Sequence, residues 1–211
     1  MDSSYNSEAV TPPTLTKEYL TRYSNKIARE LKKAGLKYPD ADYSDFIIGD
    51  ERELDREILE QLMTCSFIEE KKNVIITGPC GCGKTWIACC IATRALAQLK
   101  TVRFYNASKL VIKLKGMNAE TYLKTLDQMA KLDLLILDDI VMMDLDLQSC
   151  RIFFEVLDSM EHNGSIIFMS QYPVKNWYSL FEKATFADAS LSRATGKAKR
   201  LEIKGKDFRK L

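Results

Sequence analysis

Residues 78–85 read Gly-Pro-Cys-Gly-Cys-Gly-Lys-Thr and match the G-x-x-x-x-G-K-[ST] pattern of a phosphate-binding loop. Glycines let the backbone curl so that successive N–H groups point at phosphate oxygens. The lysine then reaches the β- and γ-phosphates, and the threonine hydroxyl ligates Mg²⁺. We therefore predict that the loop and the residue after it contact a nucleotide, through Gly78, Pro79, Cys80, Gly81, Cys82, Gly83, Lys84, Thr85 and Trp86.

The flanking sequence favours a nucleotide site over a plain glycine-rich turn. Residues 73–77 (Asn-Val-Ile-Ile-Thr) are rich in β-branched side chains and predict a buried strand before the loop. After the loop, apolar residues recur at helical spacing, at Ile87, Ala88, Ile91, Ala92, Ala95, Leu96 and Leu99. Strand, loop and helix follow in the order that a phosphate loop requires, and the helix adds the positive end of its dipole.

A second segment supplies the acids that hydrolysis needs in addition to a phosphate loop. Residues 132–139 read Leu-Asp-Leu-Leu-Ile-Leu-Asp-Asp, an apolar strand that ends in two carboxylates. Ligands of parallel α/β sheets gather at the carboxyl ends of the strands, where the loop also lies. We expect Asp138 to hold Mg²⁺ through water and Asp139 to orient the attacking water.

Two further positions are candidates for contacts to the γ-phosphate of ATP. Gln171, with Ser170 as runner-up, follows an apolar run at 165–169 and is expected between the acidic strand and the phosphates. Arg193 follows an alanine-rich stretch, and a guanidinium beside the γ-phosphate, from the same chain or a neighbour, stabilises phosphoryl transfer. On the residues alone, an ordinary surface ion pair is the preferred interpretation of Arg193.

Composition and charge limit the class of protein. The 211 residues carry a net charge of +2 and are 46% apolar, enough for one sizeable α/β core. Basic residues concentrate at 17–37 and 197–211, where they either contact nucleic-acid phosphates or form a solvated surface. No run of apolar residues predicts a membrane span. Six cysteines without zinc-ligand spacing indicate free thiols in an intracellular, cytoplasmic chain.

The order of elements predicts an α/β fold, with a parallel sheet covered by helices on both faces. We expect a disordered N-terminus at 1–15, a short helical N-terminal extension at 16–50 and an ATPase domain at 51–211. The extension contains a helix from Thr16 to about Ala34, which Gly35 ends, and a second helix is predicted over about 52–68. The later strands are predicted at 73–77, 102–105, 133–138, 165–170 and 199–203, and the later helices at 84–98, 107–115, 119–131, 146–161 and 174–195.

Taken in order, these motifs resemble the IstB transposition-helper ATPases, relatives of the DnaC helicase loaders in the initiator branch of AAA+ proteins. The most specific segments are Ser-Gln-Tyr-Pro-Val-Lys-Asn-Trp at 170–177, Ala-Asp-Ala-Ser-Leu-Ser-Arg at 187–193 and Lys-Gly-Lys-Asp-Phe-Arg at 204–209. The resemblance covers about residues 26–211. It implies a P-loop AAA+ core with a five-stranded parallel sheet, and ATP and Mg²⁺ as ligands.

The resemblance also implies roles and partners. Gln171 matches the sensor-1 position, Arg193 matches the arginine finger that acts on a neighbouring subunit's ATP, and Arg209 matches a sensor-2-like arginine. Proteins of the family assemble on DNA as ATP-dependent homo-oligomers and deliver a client, either a transposase or a replicative helicase. Three lysines lie on the helix where initiator-branch proteins carry a DNA-contacting insertion: Lys109, Lys113 and Lys115.

Departures from the family pattern leave several functions open. Arg193 stands in Ser-Arg-Ala where the family has Asp-Arg-Leu, and Asp139 stands where many AAA+ proteins have glutamate. Only about 35 residues precede the Tyr38-Pro39-Asp40 segment, where a longer partner-binding region is expected. The alternatives are an IstB-like transposition helper with slow, DNA- and oligomer-stimulated ATPase activity, a DnaC-like helicase loader, and an ATP-binding scaffold that hydrolyses poorly. A small-molecule kinase is disfavoured because no acceptor-binding or lid motif is present.

Overall fold

The computed structural model describes residues 17–46, 52–140, 145–205 and 207. The chain begins with helix α1 (Lys17–Ala34), strand β1 (Arg52–Glu53), and helices α2 (Arg56–Met63) and α3 (Ser66–Glu69). The remaining strands are β2 (Val74–Thr77), β3 (Val102–Asn106), β4 (Leu134–Asp138), β5 (Ser165–Ser170), β6 (Lys199–Glu202) and β7 (Lys204–Gly205). The remaining helices are α4 (Lys84–Ala97), α5 (Ala107–Lys115), α6 (Ala119–Met129), α7 (Leu147–Met160) and α8 (Ala184–Thr195).

Two of the predicted helices are divided. The prediction of one helix over 52–68 is wrong, because β1 occupies its start and α2 begins only after Asp55, whose carboxylate accepts from Ile58 N at 3.0 Å. Cys65 then adopts a φ of 62°, which a right-handed helix cannot continue through. The predicted helical region 174–195 is a 3₁₀ helix at Val174–Leu180 followed by α8.

The predicted parallel sheet of five strands is present, and its strands lie in the order β3-β4-β5-β2-β6. Strand β2 lies between β5 and β6, with Val74 opposite Ile167 of β5 on one side and Lys199 of β6 on the other. All five strands therefore end at the same edge of the sheet. The phosphate loop follows β2 at this carboxyl edge, and the acidic pair follows β4.

Helices cover both faces of the sheet, which explains the nearly continuous apolar runs in β4 and β5. Alternate residues of the strands point to opposite faces. Val74, Ile76 and Ile136 pack with the buried side of α4 and with α2, whereas Ile75, Leu137 and Phe168 pack with α5, α7 and α8. Helix α4 is consequently held against the sheet along its length, which fixes the loop before it.

The N-terminal helix lies on the core rather than apart from it. The Tyr23 hydroxyl donates to the Ala97 carbonyl at the end of α4, and Gly35, which ends α1 as predicted, has a φ of 67°. The N-terminus at 1–15, expected to be disordered, lies outside the described residues, and the domain boundary near residue 50 stays a prediction. In the described part of the chain, no helix has both the length and the hydropathy to cross a membrane.

Candidate nucleotide-binding site

The phosphate loop has a curled backbone that glycine makes possible. Gly81 and Gly83 have φ values of 75° and 105°, in the region that side chains other than glycine rarely adopt. At Gly78, a Cβ atom would overlap the carbonyl oxygen of Ile203 and would lie 2.9 Å from the Cys82 sulphur. The Gly78 N–H donates to the Ser170 carbonyl at 3.3 Å, which ties the loop to the end of β5.

Lys84 is buried at the start of α4, with its ammonium inside the curl of the loop. Its side chain is among the few buried charged groups of the described residues, and Nζ donates to the carbonyl oxygens of Gly78 at 2.7 Å and Pro79 at 2.8 Å. The dipoles of these two carbonyls stabilise the ammonium, which has no carboxylate within ion-pair distance among the described residues. A phosphate oxygen that enters the loop would therefore meet a cation already oriented towards it.

The structure brings the loop and the acidic strand into contact. Thr85 Oγ1 donates to Asp138 Oδ2 at 3.3 Å, which joins the first turn of α4 to the last residue of β4. A hydroxyl and a carboxylate oxygen are ligands that suit Mg²⁺, which binds proteins through one or two carboxylates together with substrate phosphates. The described residues contain no group of three or more His, Cys, Asp or Glu side chains that could hold a metal by themselves. The pair fits a magnesium ion that arrives with a nucleotide.

Electrostatics at Asp138 favour the arrival of a cation. Burial raises the pKa of Asp138 above its ordinary value, and the charge of Asp139 raises it further. The ammonium of Lys37 and the hydrogen bond from Thr85 oppose this rise without cancelling it. A divalent cation beside Asp138 would stabilise the charged form of the carboxylate and so lower this pKa.

Asp139 and Gln171 both follow directly after strands at the carboxyl edge. Asp139 has a φ of 56°, which turns the chain as β4 ends. Gln171 is exposed, and it comes after Ser170 at the end of β5. The Ser170 hydroxyl donates to the Tyr172 carbonyl at 2.9 Å and accepts from the Tyr172 N–H at 3.0 Å. Since Ser170 is engaged in this turn, Gln171 is the better placed of the two for a contact with substrate.

The remaining loop residues differ in their exposure. Pro79 and Cys80 are exposed, whereas Cys82 is fully buried beneath the loop. Trp86 packs against Tyr38 of the N-terminal extension with 5.3 Å between the ring centroids. Its indole N–H is buried and has no hydrogen-bond partner among the described residues. The extension therefore touches α4 one residue after the predicted magnesium ligand.

Arg193 is not part of this cluster. Its carbonyl accepts from Asn73 Nδ2 at 2.9 Å, and Asn73 precedes β2 at the amino edge of the sheet. Strand β2 has four residues, a length of about 13 Å, so Arg193 and the phosphate loop lie at opposite edges. The guanidinium contacts α7 and the residue after it, with Nη2 3.0 Å from Asp158 Oδ1 and Nε 2.7 Å from Glu161 Oε2. Within one chain, Arg193 therefore forms ordinary ion pairs, which is the interpretation that the residues alone favoured.

A groove of about 400 Å³ adjoins Arg193 at the same amino edge. It is lined in part by Asn73, Glu161, His162 and Lys197. No residue of the phosphate loop or the acidic pair lines it. The groove is therefore separate from the nucleotide site of the same chain.

Two residues near the site, Lys37 and Asp207, could not be assigned to it from sequence motifs. Lys37, whose charge acts on Asp138, gives no signal in the sequence because only the packing of the extension on the core brings it close. Asp207, which lies against Gly81, was noted only as part of the C-terminal motif. Arg209, which the resemblance assigns a sensor-2-like role, lies outside the described residues.

Comparison with known proteins decides the family. A model of the IstB-like ATP binding proteins matches residues 2–211. The chain belongs to this family. An insertion sequence ATP-binding protein of Sinorhizobium fredii is 32% identical over 198 residues, which cover 93% of this chain and 79% of that protein. The insertion sequence IS21 ATP-binding protein of Pseudomonas aeruginosa is 28% identical over 196 residues, which cover 92% and 74%.

Solved structures share the fold of this IstB-like chain. The crystal structure of DnaI has a TM-score of 0.65 and 21% identity, covering 85% of this chain and 98% of that one. The DnaC helicase loader has a TM-score of 0.62 and 18% identity, covering 80% and 99%. DnaA bound to AMPPCP and single-stranded DNA has a TM-score of 0.61 and 18% identity, covering 80% and 51%. The predicted P-loop AAA+ fold is thus confirmed.

Proposed function

We propose that this IstB-like protein binds ATP with Mg²⁺ at the phosphate loop and hydrolyses it. The observation that carries the proposal is the contact between Thr85 and Asp138, which places a hydroxyl and a carboxylate beside the loop that holds Lys84. The names of the relatives, which are ATP-binding proteins of insertion sequences, support ATP as the nucleotide.

Each residue of the cluster has a separate task in this proposal. Lys84 attracts the β- and γ-phosphates, and the loop N–H groups orient them. Thr85 and Asp138 hold Mg²⁺, which when bound neutralises charge on the phosphate oxygens. Asp139 orients the attacking water, and Gln171 contacts the γ-phosphate. Because aspartate is one methylene shorter than glutamate, we expect Asp139 to support slow hydrolysis.

Arg193 acts, in this proposal, on the ATP of a neighbouring copy in an ATP-dependent homo-oligomer. Its place at the edge opposite the loop supports a role in trans, because the guanidinium is a strand length away from its own site. To reach a neighbour's γ-phosphate it would have to leave the carboxylates of Asp158 and Glu161. The requirement to break these ion pairs gives a second reason to expect slow turnover without stimulation.

DNA is the proposed assembly surface, bound without sequence preference. Exposed lysines and arginines on α1 and α5 support it, and among the described residues Lys26 and Lys32 have no acidic partner within ion-pair distance. Lys109 and Lys113 are exposed on α5, whereas Lys115 is paired with Asp146 at 2.7 Å. We therefore expect Lys109 and Lys113 to contribute more to DNA binding than Lys115.

The proposed client is a transposase, and the proposed compartment is the cytoplasm. The relatives belong to insertion sequences, which favours transposition over helicase loading. The six cysteines, all of them among the described residues, form no disulphide, which accords with a reducing compartment. The DnaC-like helicase loader and the weakly hydrolysing scaffold are the alternatives that the experiment must separate.

The test is steady-state ATPase activity, with and without mixed-sequence duplex DNA, across a range of protein and salt concentrations. We expect activity to rise with DNA and with protein concentration, and DNA affinity to fall steeply with salt because bound counterions are released. Stimulation by a purified insertion-sequence transposase, but not by a replicative helicase, supports the transposition helper, and the reverse supports the loader. Tight ATP binding without measurable turnover under any of these conditions would favour the scaffold.

A further inference from the structure

The C-terminal strands carry the chain back across the phosphate loop. Strand β6 runs parallel to β2, so its carboxyl end lies beside the loop, and the Ile203 N–H donates to the Thr77 carbonyl at 2.8 Å. Strand β7 then pairs antiparallel with β1, with Gly205 opposite Arg52 and Lys204 opposite Glu53. This short ladder fixes the position of Gly205, two residues before Asp207, and the Asp207 side chain lies against the phosphate loop.

The carboxylate of Asp207 lies against Gly81 in the middle of the phosphate loop. A Cβ atom built on Gly81 would overlap Asp207 Oδ1, and even the farther oxygen, Oδ2, would lie 3.0 Å from it. The Ile203 carbonyl covers Gly78 in the same way at the start of the loop. The C-terminal segment therefore lies against the phosphate loop at two places, Ile203 beside Gly78 and Asp207 beside Gly81.

A carboxylate at this position meets an environment built for anions. The curled loop presents backbone N–H groups, and the start of α4 adds its dipole. The same features attract a triphosphate, and two anions in one cradle repel each other. The Asp207 carboxylate and a phosphate group therefore compete for the loop, and the presence of one weakens the binding of the other.

We propose that Asp207 is a residue of the nucleotide site that serves as an internal anion of the phosphate loop and sets its affinity for phosphate ligands. The inference rests on the proposed function, since it concerns the same loop. Nucleotide binding displaces the Asp207 carboxylate, and the apparent affinity is lowered by the fraction of molecules in which Asp207 occupies the loop. The displacement would also loosen the β1–β7 ladder, which connects the loop to the start of α2.

The test is calorimetric titration of the full chain with ATP and, separately, with inorganic tripolyphosphate, which lacks the base and sugar. Asp207→Asn keeps the size of the side chain and removes its charge, so both ligands should bind about 3- to 10-fold more tightly than to the parent protein. Asp127→Asn, an exposed aspartate on α6, is the matched control and should leave both affinities unchanged. Asp207→Ala gives a second variant in which the carboxylate is absent altogether.

The shift in unfolding temperature that ATP causes adds a readout that a purely structural role of Asp207 would not increase. Without ligand, Asp207→Asn should melt at or below the parent temperature, and the upward shift caused by saturating ATP should be larger than in the parent. Equal or weaker affinity in both Asp207 variants, with parent protein that binds ATP through Lys84, would overturn the inference and leave the proposed function standing. If ATP binds neither the parent nor Asp207→Asn, the proposed function itself fails, and the inference fails with it.

Discussion

Thr85 Oγ1 donates a hydrogen bond to Asp138 Oδ2 across 3.3 Å, and this contact joins the helix after the phosphate loop to the strand before the acidic pair. Both elements are packed in the core, with α4 on one face of the sheet and β4 buried along its length. The relative position of Thr85 and Asp138, the two proposed magnesium ligands, is therefore set by the fold rather than by flexible loops. A substitution that removes the charge of Asp138 should impair Mg²⁺-dependent ATP binding and increase the stability of the protein without ligand.

Asp138→Asn should stabilise the protein without ligand and abolish Mg²⁺-dependent tight binding of ATP. Burial raises the pKa of Asp138, so its charged form destabilises the folded state at neutral pH. Removing the charge should raise stability by about 1 kcal/mol, or roughly 2–4 °C in Tm. Thermal unfolding and calorimetry with and without Mg²⁺ measure the two effects. A lower Tm would contradict the electrostatic account of the site.

The gain in stability should depend on pH in a defined direction. A raised pKa means that the destabilising charge is present above the folded-state pKa and disappears as the pH falls through it. The Tm difference between Asp138→Asn and the parent protein should therefore be largest at neutral pH and should shrink as the solution is acidified. A difference that stays constant down to acidic pH would point to a packing effect instead of the charge.

Asp139→Asn should behave differently from its neighbour. We expect it to keep ATP binding and to slow turnover, since only the orientation of water is impaired. Single-turnover hydrolysis with radiolabelled ATP separates binding from the chemical step. Hydrolysis at the parent rate would show that Asp139 has no catalytic role.

Cys80 should be the one cysteine that reacts rapidly with an aromatic disulphide reagent. It is exposed, whereas the other five cysteines are buried. Burial also raises the pKa of Cys65 to about 11 and of Cys90 to about 12, which suppresses their thiolates. ATP at about ten times its Kd should slow the labelling about tenfold, because the loop is then occupied. Cys80→Ser is the control and should resist labelling while retaining ATP affinity.

Arg193 should act between subunits, which a mixing experiment can detect. Arg193→Ala and Lys84→Ala should each be inactive alone and should recover partial ATPase activity when combined, because some interfaces pair an intact loop with an intact arginine. Arg151→Ala, which removes another arginine that is ion-paired on α7, should be active alone. If the two variants form mixed oligomers but recover no ATPase activity, Arg193 has only the structural role of pairing with Asp158 and Glu161.

The phosphate loop and the acidic pair could be recognised from the sequence because each is a local pattern of residue types. The glycines of 78–83 and the apolar run before Asp138 can be recognised without tertiary structure, and the alternation of strands with helices predicts the parallel sheet. The β1–β7 ladder was missed because strands of two residues have no periodicity. The edge at which Arg193 lies and the approach of Asp207 to Gly81 arise only when distant segments pack, so no local pattern encodes them.

ATP calorimetry of Lys84→Ala in the presence of Mg²⁺ tests the account most directly, since every proposed role depends on nucleotide in this loop. The ammonium lies inside the loop, bonded to the carbonyls of Gly78 and Pro79. Its removal should weaken ATP binding by roughly 2–3 kcal/mol, the loss expected for a charge-assisted hydrogen bond. Lys124→Ala, an exposed lysine paired with Glu120 on α6, should bind ATP as the parent protein does. Equal ATP affinity in the parent protein and in folded Lys84→Ala would contradict the assignment of the site.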